Sequence, residues 1–268
     1  MDPCPLQLAK AGDLHALQSI PVDVVRAASD KRGSNALHWA AGSGRLDTAA
    51  WLMNTVGLSL DSQTSDGRRP LHYAARNGQL ACVEWLVVGM GADADCRDAA
   101  GCSPLQFAVW QNRLDVVRWL IQSGGCDAHQ RNLFGCTLAH WACLTPRGRE
   151  GGRGAMPEEE REKYEEEEEE KEEEEELVIK LIRFLLHCSG PRGGSGVGGD
   201  RGGGTGGGVD FNERNSEGHS PLSKAAYTGH AGLCRFLRME PLVAAVDHPD
   251  NQGSYVVFSL FSPCSPSI

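Results

Sequence analysis

GSNALHWAA at residues 33–41, GRRPLHYAA at 67–75, GCSPLQFAV at 101–109 and GCTLAHWAC at 135–143 are one pattern written four times. Gly33, Gly67, Gly101 and Gly135 stand 34 residues apart. GHSPLSKAA at 218–226 is a fifth copy, out of step with the rest. A fixed period of this length is the signature of stacked supersecondary units. Each unit reads as helix-turn-helix. A polar residue and Gly mark a turn, as at Asp66-Gly67. Pro70, Pro104 and Pro221 fall in the first turn of the next helix, where no backbone donor is lost. Gly44, Gly78 and Gly229 break that helix, and Leu80, Val83, Leu86 and Val87 follow at helical spacing.

Position by position the copies resemble the ankyrin repeat. The second halves match as well, with Ala49-Ala50-Trp51-Leu52, Val83-Glu84-Trp85-Leu86, Val117-Arg118-Trp119-Leu120 and Cys234-Arg235-Phe236-Leu237 in register. The resemblance implies an all-α, ankyrin-type helix-turn-helix solenoid with short β-turn tips. It also implies a surface that binds protein, with contacts drawn from the tips and from first helices lining the concave side.

Gly135 to Gly218 is 83 residues, 49 more than one period. Two inserts in the fourth repeat account for the excess. An acidic one precedes the second helix LVIKLIRFLL, and a Gly-rich one follows it. Loop closure entropy grows only slowly with length, so such inserts cost little. The resulting division is a degenerate capping repeat over 1–32, repeats over 33–149, the acidic insert over 150–176 and the second helix of repeat four over 177–189. The Gly-rich loop covers 190–208, repeat five 209–250 and an irregular tail 251–268. Asn251-Gln252-Gly253 opens another repeat that dissolves into an apolar Ser/Pro tail. On this tail the chain is expected to be a fragment or to have a wrongly assigned C-terminal end.

Composition narrows the function. The net charge of −10 is local: residues 158–176 hold fifteen Glu against Arg161, Lys163 and Lys171, which leaves the remainder at +2. No basic stripe stands out, so nucleic acid is not an expected partner. Ten Cys without a CxxC pair, no signal peptide and no long apolar run point to an intracellular protein, cytoplasmic or nuclear, with no membrane contact. The acidic insert reads as solvated low-complexity sequence, or as a dock for a basic protein. It is expected to lengthen the following helix, and excising 158–175 is expected to leave stability unchanged.

Trp39, Tyr73, Phe107 and Trp141 share one register position and form an aromatic series. It serves either packing between repeats or partner contact. The tips Lys31-Arg32, Ser65-Asp66, Ala99-Ala100, Leu133-Phe134 and Ser216-Glu217 vary on a fixed frame, as a recognition surface does. Leu133-Phe134 is the apolar exception, and Arg68 with Arg69 suggests a small basic edge. His38, His72 and His140 recur at the period and read as structural residues bonding neighbouring turns. His140 and Cys143 lack the second ligand pair that a zinc site needs. Gly194–Gly199 matches GxGxxG by composition alone, with no strand before it and no helix after it. No catalytic residue, cofactor or metal is expected. The reading is a monomeric, non-enzymatic scaffold or adaptor for a protein partner; the alternative is a regulatory or targeting piece of a larger enzyme or channel.

Overall fold

The computed structural model describes residues 4–144, 173, 175–188, 208–228 and 231–239. Helix starts follow from local chemistry. Helix α4 (Ala36–Gly42) is capped by the Asn35 side chain, which accepts from the Leu37 and His38 amides. Helices α6 (Pro70–Arg76) and α8 (Pro104–Trp110) begin with Pro, and so does α12 (Pro221–Tyr227). The third helical residue reaches back to its own cap. His38 Nδ1 accepts from the Asn35 amide at 3.2 Å, His72 Nδ1 from Arg69 at 3.1 Å and His140 Nδ1 from Thr137 at 3.2 Å. In the third repeat Gln106 Oε1 accepts from Ser103 at 3.1 Å. The His-to-Gln change in the motif thus keeps the capping-box acceptor.

The first helices end in a left-handed residue. Gly78 has φ 75°, and Asn112, at the same register, has φ 52°. Second helices follow: α5 (Leu46–Asn54), α7 (Leu80–Glu84), which widens into a π-helical turn over Trp85–Gly89, and α9 (Leu114–Gln122). Each closes on one bond, from Leu58 N–H to the Leu52 carbonyl at 3.0 Å, Ala92 to Leu86 at 2.8 Å and Cys126 to Leu120 at 3.0 Å. Each bond reaches six positions back and satisfies a carbonyl of the last helical turn; the five-position Schellman bond closes the first helices instead, as from Gln79 N–H to the Ala74 carbonyl at 2.9 Å.

The described residues divide into two compact units, one ending at Leu133 and the other opening at Phe134. In the first, α1 (Pro5–Ala11) packs on α4, α4 on α6, and α6 on α8. The expected capping repeat has its first helix and its turn at Gly12, but its second half is two short helices, α2 (Leu14–Gln18) and α3 (Val22–Ala27), separated at Pro21. The core is built from Leu37, Leu52, Leu71, Leu86, Leu105 and Leu120, each at most 2% exposed. A single bridge, Ser29 with Asn35, is the nearest thing to β-structure among the described residues.

The second unit holds α10 (Leu138–Ala142), α11 (residues 175–187), α12 and α13 (Ala231–Met239) around Leu138, Leu181, Ile182, Leu185 and Phe211. Here the Val209 amide bonds the Leu185 carbonyl at 2.8 Å. This bond resembles the closure of the other repeats, with residues 186–208 lying between its partners in sequence. Helix α11 includes Glu175 and Glu176, and Glu173 is also helical. The Glu175 carboxylate accepts from the Leu233 amide at 2.6 Å and so caps α13. Excision through 175 would therefore remove a helix cap, which corrects the expectation that the whole acidic stretch is dispensable. Residues 145–172, Gly229, the Gly-rich stretch over 190–207 and everything after 239, Asn251-Gln252-Gly253 included, lie outside the described residues.

Candidate protein-binding surface

Each tip is tied down by one side chain three residues before its glycine. The Asp30 carboxylate accepts from the Arg32 amide at 2.8 Å and the Ser34 amide at 2.9 Å. Asp98 takes Ala100 and Cys102 in the same way, Asn215 takes Glu217 and His219, and Thr64 Oγ1 takes Arg68. Burial pushes the Asp30 carboxyl up, but the amides of Ser34 and Arg32 outweigh it and hold it below the usual carboxylate range. These tip-forming residues, with Asn132 in the same register, are absent from the sequence-based candidates. Their 34-residue spacing, Asp30, Thr64, Asp98 and Asn132, is the signal that finds them.

Successive tips are then stitched together by backbone. Ser65 N–H donates to the Arg32 carbonyl at 2.8 Å, Ala99 to Asp66 at 2.8 Å and Leu133 to Ala100 at 3.0 Å; in the second unit Ser216 donates to Phe134 at 3.1 Å. The histidines add a second tie. Nε2 of His38 meets the Arg68 carbonyl at 3.1 Å, that of His72 meets Cys102 at 3.1 Å and that of His140 meets His219 at 2.9 Å. A carbonyl can only accept, so Nε2 carries the proton and Nδ1 is the acceptor that serves the cap. These imidazoles are fully engaged as neutral groups. Burial pushes His72 down to about 4 and lowers His38 in the same direction.

With the backbone occupied, the side chains of the tips face solvent. Lys31, Arg32, Ser65, Asp66 and Ala99 are exposed and Ala100 is half-buried. Leu133 is 75% exposed and Phe134 57%, unusual for apolar groups of this size. The basic edge expected of Arg68 and Arg69 is corrected by their pairing. Arg68 lies 3.5 Å from Asp98 and 4.0 Å from Asp66, and Arg69 lies 2.8 Å from Asp61.

The aromatic series divides. Trp39, Tyr73 and Trp141 are half-buried. Tyr73 packs edge-on against His38, centroids 5.2 Å apart, and its hydroxyl bonds Ser34 Oγ at 2.8 Å. Phe107 is only 3% exposed, packed on His72 beneath the Arg68 guanidinium at 4.8 Å. It is therefore a packing residue, covered by that guanidinium. Trp110, half-buried under Arg76 at 5.3 Å, is an additional surface aromatic.

One thiol–imidazole contact has the outline of a nucleophile and base: Cys96 Sγ lies 3.8 Å from His72 Nδ1. Its electrostatics run the other way. Burial pushes the Cys96 thiol up to about 12 and the imidazole down to about 4, so neither ion of a thiolate–imidazolium pair is favoured. Cys82 is likewise held as thiol, pushed up to about 11 by burial. Among the described residues no cluster of three or more His, Cys, Asp or Glu is placed to hold a metal.

A family model described as ankyrin repeats, three copies, matches residues 6–98, 55–132 and 81–150, more than half of the chain together. No curated protein matches the chain.

Proposed function

Because the chain belongs to the ankyrin repeat family, whose repeats are generally protein–protein interaction modules and typically non-catalytic, we propose that it is a non-enzymatic scaffold or adaptor that grips a protein partner through its turn tips. The observation that carries this reading is the division of labour at the tips. Backbone bonds between repeats fix the frame, while Lys31, Arg32, Ser65, Asp66, Ala99, Leu133 and Phe134 project side chains of differing chemistry. A rigid frame with variable contacts avoids ordering costs on association. Half-exposed Trp39, Tyr73 and Trp141 supply the flanking apolar area. The protein acts as a monomer inside the cell in this reading. Among the described residues no helix is long and apolar enough to cross a membrane.

Affinity capture from the source organism's lysate tests it, comparing the intact chain with the triple variant Ser65→Glu, Ala99→Glu and Leu133→Glu. Both must show the same thermal melt. A partner held by the first and lost by the second is the expected result. Equal capture by both would remove the tips from the reading.

A further inference from the structure

At the opposite end of the first helices from the tips, four cations form two pairs. Arg45 lies against Gly12 and its Nε donates to the Lys10 carbonyl at 3.4 Å. Arg113 lies against Gly78 and its Nε donates to the Arg76 carbonyl at 3.3 Å. Each pair sits beside an indole, with Lys10 Nζ 5.3 Å from the Trp39 ring and the Arg76 guanidinium 5.3 Å from the Trp110 ring. Between them, in the register of Arg45 and Arg113, stands the neutral Gln79. Among the described residues none of the four cations has an ion-pair partner within 4 Å. Asp13, Asp47 and Asp115 open the neighbouring second helices without pairing to them. Cations without a bridging carboxylate are available to an incoming anion.

A hollow of about 200 Å³ reaches from Lys10 of the first pair past Trp39 to Asp30 below the first tip, with Cys4, Leu6 and Gln7 completing its lining. Its floor is apolar. Asp30, a carboxylate already accepting two amides, is among its lining, which disfavours an acid inside the hollow and suits a hydrocarbon side chain there. Two repeats separate the pairs, about 20 Å at ordinary helix spacing. An extended chain covers that in about six residues.

We infer that this ledge of the first unit binds an extended acidic peptide that places two carboxylates about six residues apart, each beside an apolar side chain. The inference rests on the reading of the chain as a protein-binding module but not on its tips. Nucleic acid fits less well: four cations in two separated pairs, interleaved with Asp13, Asp47 and Asp115, do not track a continuous phosphate backbone.

Fluorescence anisotropy with the full chain tests it. The probe is a labelled peptide with two Glu-Leu pairs about six residues apart on a Gly/Ser spacer. The controls are the same peptide with Gln-Leu pairs, one with the Glu-Leu pairs adjacent, and single-stranded oligothymidylate. The spaced acidic probe binds, both control peptides bind at least about tenfold more weakly, and its affinity falls as salt screens the charges. Arg45→Glu with Arg113→Glu abolishes binding. Lys10→Gln with Arg76→Gln weakens it while leaving the Gly12 and Gly78 contacts in place, so a misfolded first variant does not spare the idea. Leu133→Glu leaves it unchanged. No binding at millimolar probe, equal binding of the Gln-Leu control, indifference to the cation variants, or equal binding of the oligonucleotide each overturns the inference. A tip variant that loses its lysate partner while no peptide binds sinks the ledge alone; the reverse sinks the tips alone.

Discussion

At position 72 the repeat's imidazole serves as both cap acceptor and inter-repeat donor, and it does both only when neutral. Burial keeps it so, with a folded value near 4 against an unfolded value of 6.5. The sign follows: the stability it contributes is full above pH 6.5 and is lost as pH falls toward 4, at about 1.4 kcal/mol per pH unit. At pH 5 the loss is about 2 kcal/mol. Gln106 fills the same cap role without a titrating group. His72→Gln should therefore melt close to the parent at pH 7 and lose less on acidification; parallel pH–melt curves for the two proteins would contradict this. A second residue-scale outcome concerns Asn112 at φ 52°. Asn112→Ala should cost about 1 kcal/mol in denaturant titration, and Asn112→Gly close to nothing. Both roles were partly legible in sequence. The histidine period announced a structural part, but the burial of Phe107 did not show, because the Arg68 that covers it comes from the preceding repeat.

Among the elements, the second helices supply half of the core leucines. Leu86 and Leu120 are each at most 1% exposed, and Leu86→Ala or Leu120→Ala should cost roughly 2–5 kcal/mol. A parent-like melt for both would mean the 34-residue register is misplaced. Helix α13 depends on a residue 58 positions upstream, since the Glu175 carboxylate takes its Leu233 amide. Glu175→Ala should lower stability by about 1 kcal/mol, with Glu175→Asp intermediate, read by chemical denaturation. The helices themselves were legible because period, Pro at the first turn and Gly at the last are local signals. The α13 cap, the Arg68–Asp98 pair and the Lys10–Arg45 ledge were not, because each joins residues 30 or more apart whose meeting only packing decides.

For the molecule as a whole, stability is a chain of neighbour terms within each unit, since α4 touches α1 and α6, and α6 touches α8. A cavity at Leu86 should therefore speed amide hydrogen exchange in α4 and α8 as well as in α7, more than in α1. Uniform acceleration across the first unit would instead mark it as one all-or-none block. The charge of the chain divides in the same spirit. One tract carries more than the whole net −10, and the rest of the chain is left near neutral with opposite charges in small local sets. That arrangement escapes a reading based on totals, since Lys10, Arg45, Arg76 and Arg113 disappear into a sum of +2.

The Val209 to Leu185 bond makes the fourth repeat a port. Its two rims are joined by the same closure that elsewhere spans six residues, so the ends of the repeat meet whatever the length of sequence between them. A fluorescent domain or a protease site inserted there should leave the thermal melt close to the parent's, because closure entropy grows only logarithmically with length. Among the described residues a fixed requirement is the glycine at 208, where a Cβ would overlap the Leu186 carbonyl. A lineage that lengthens, shortens or replaces that segment changes what the protein carries without rewriting how it stands.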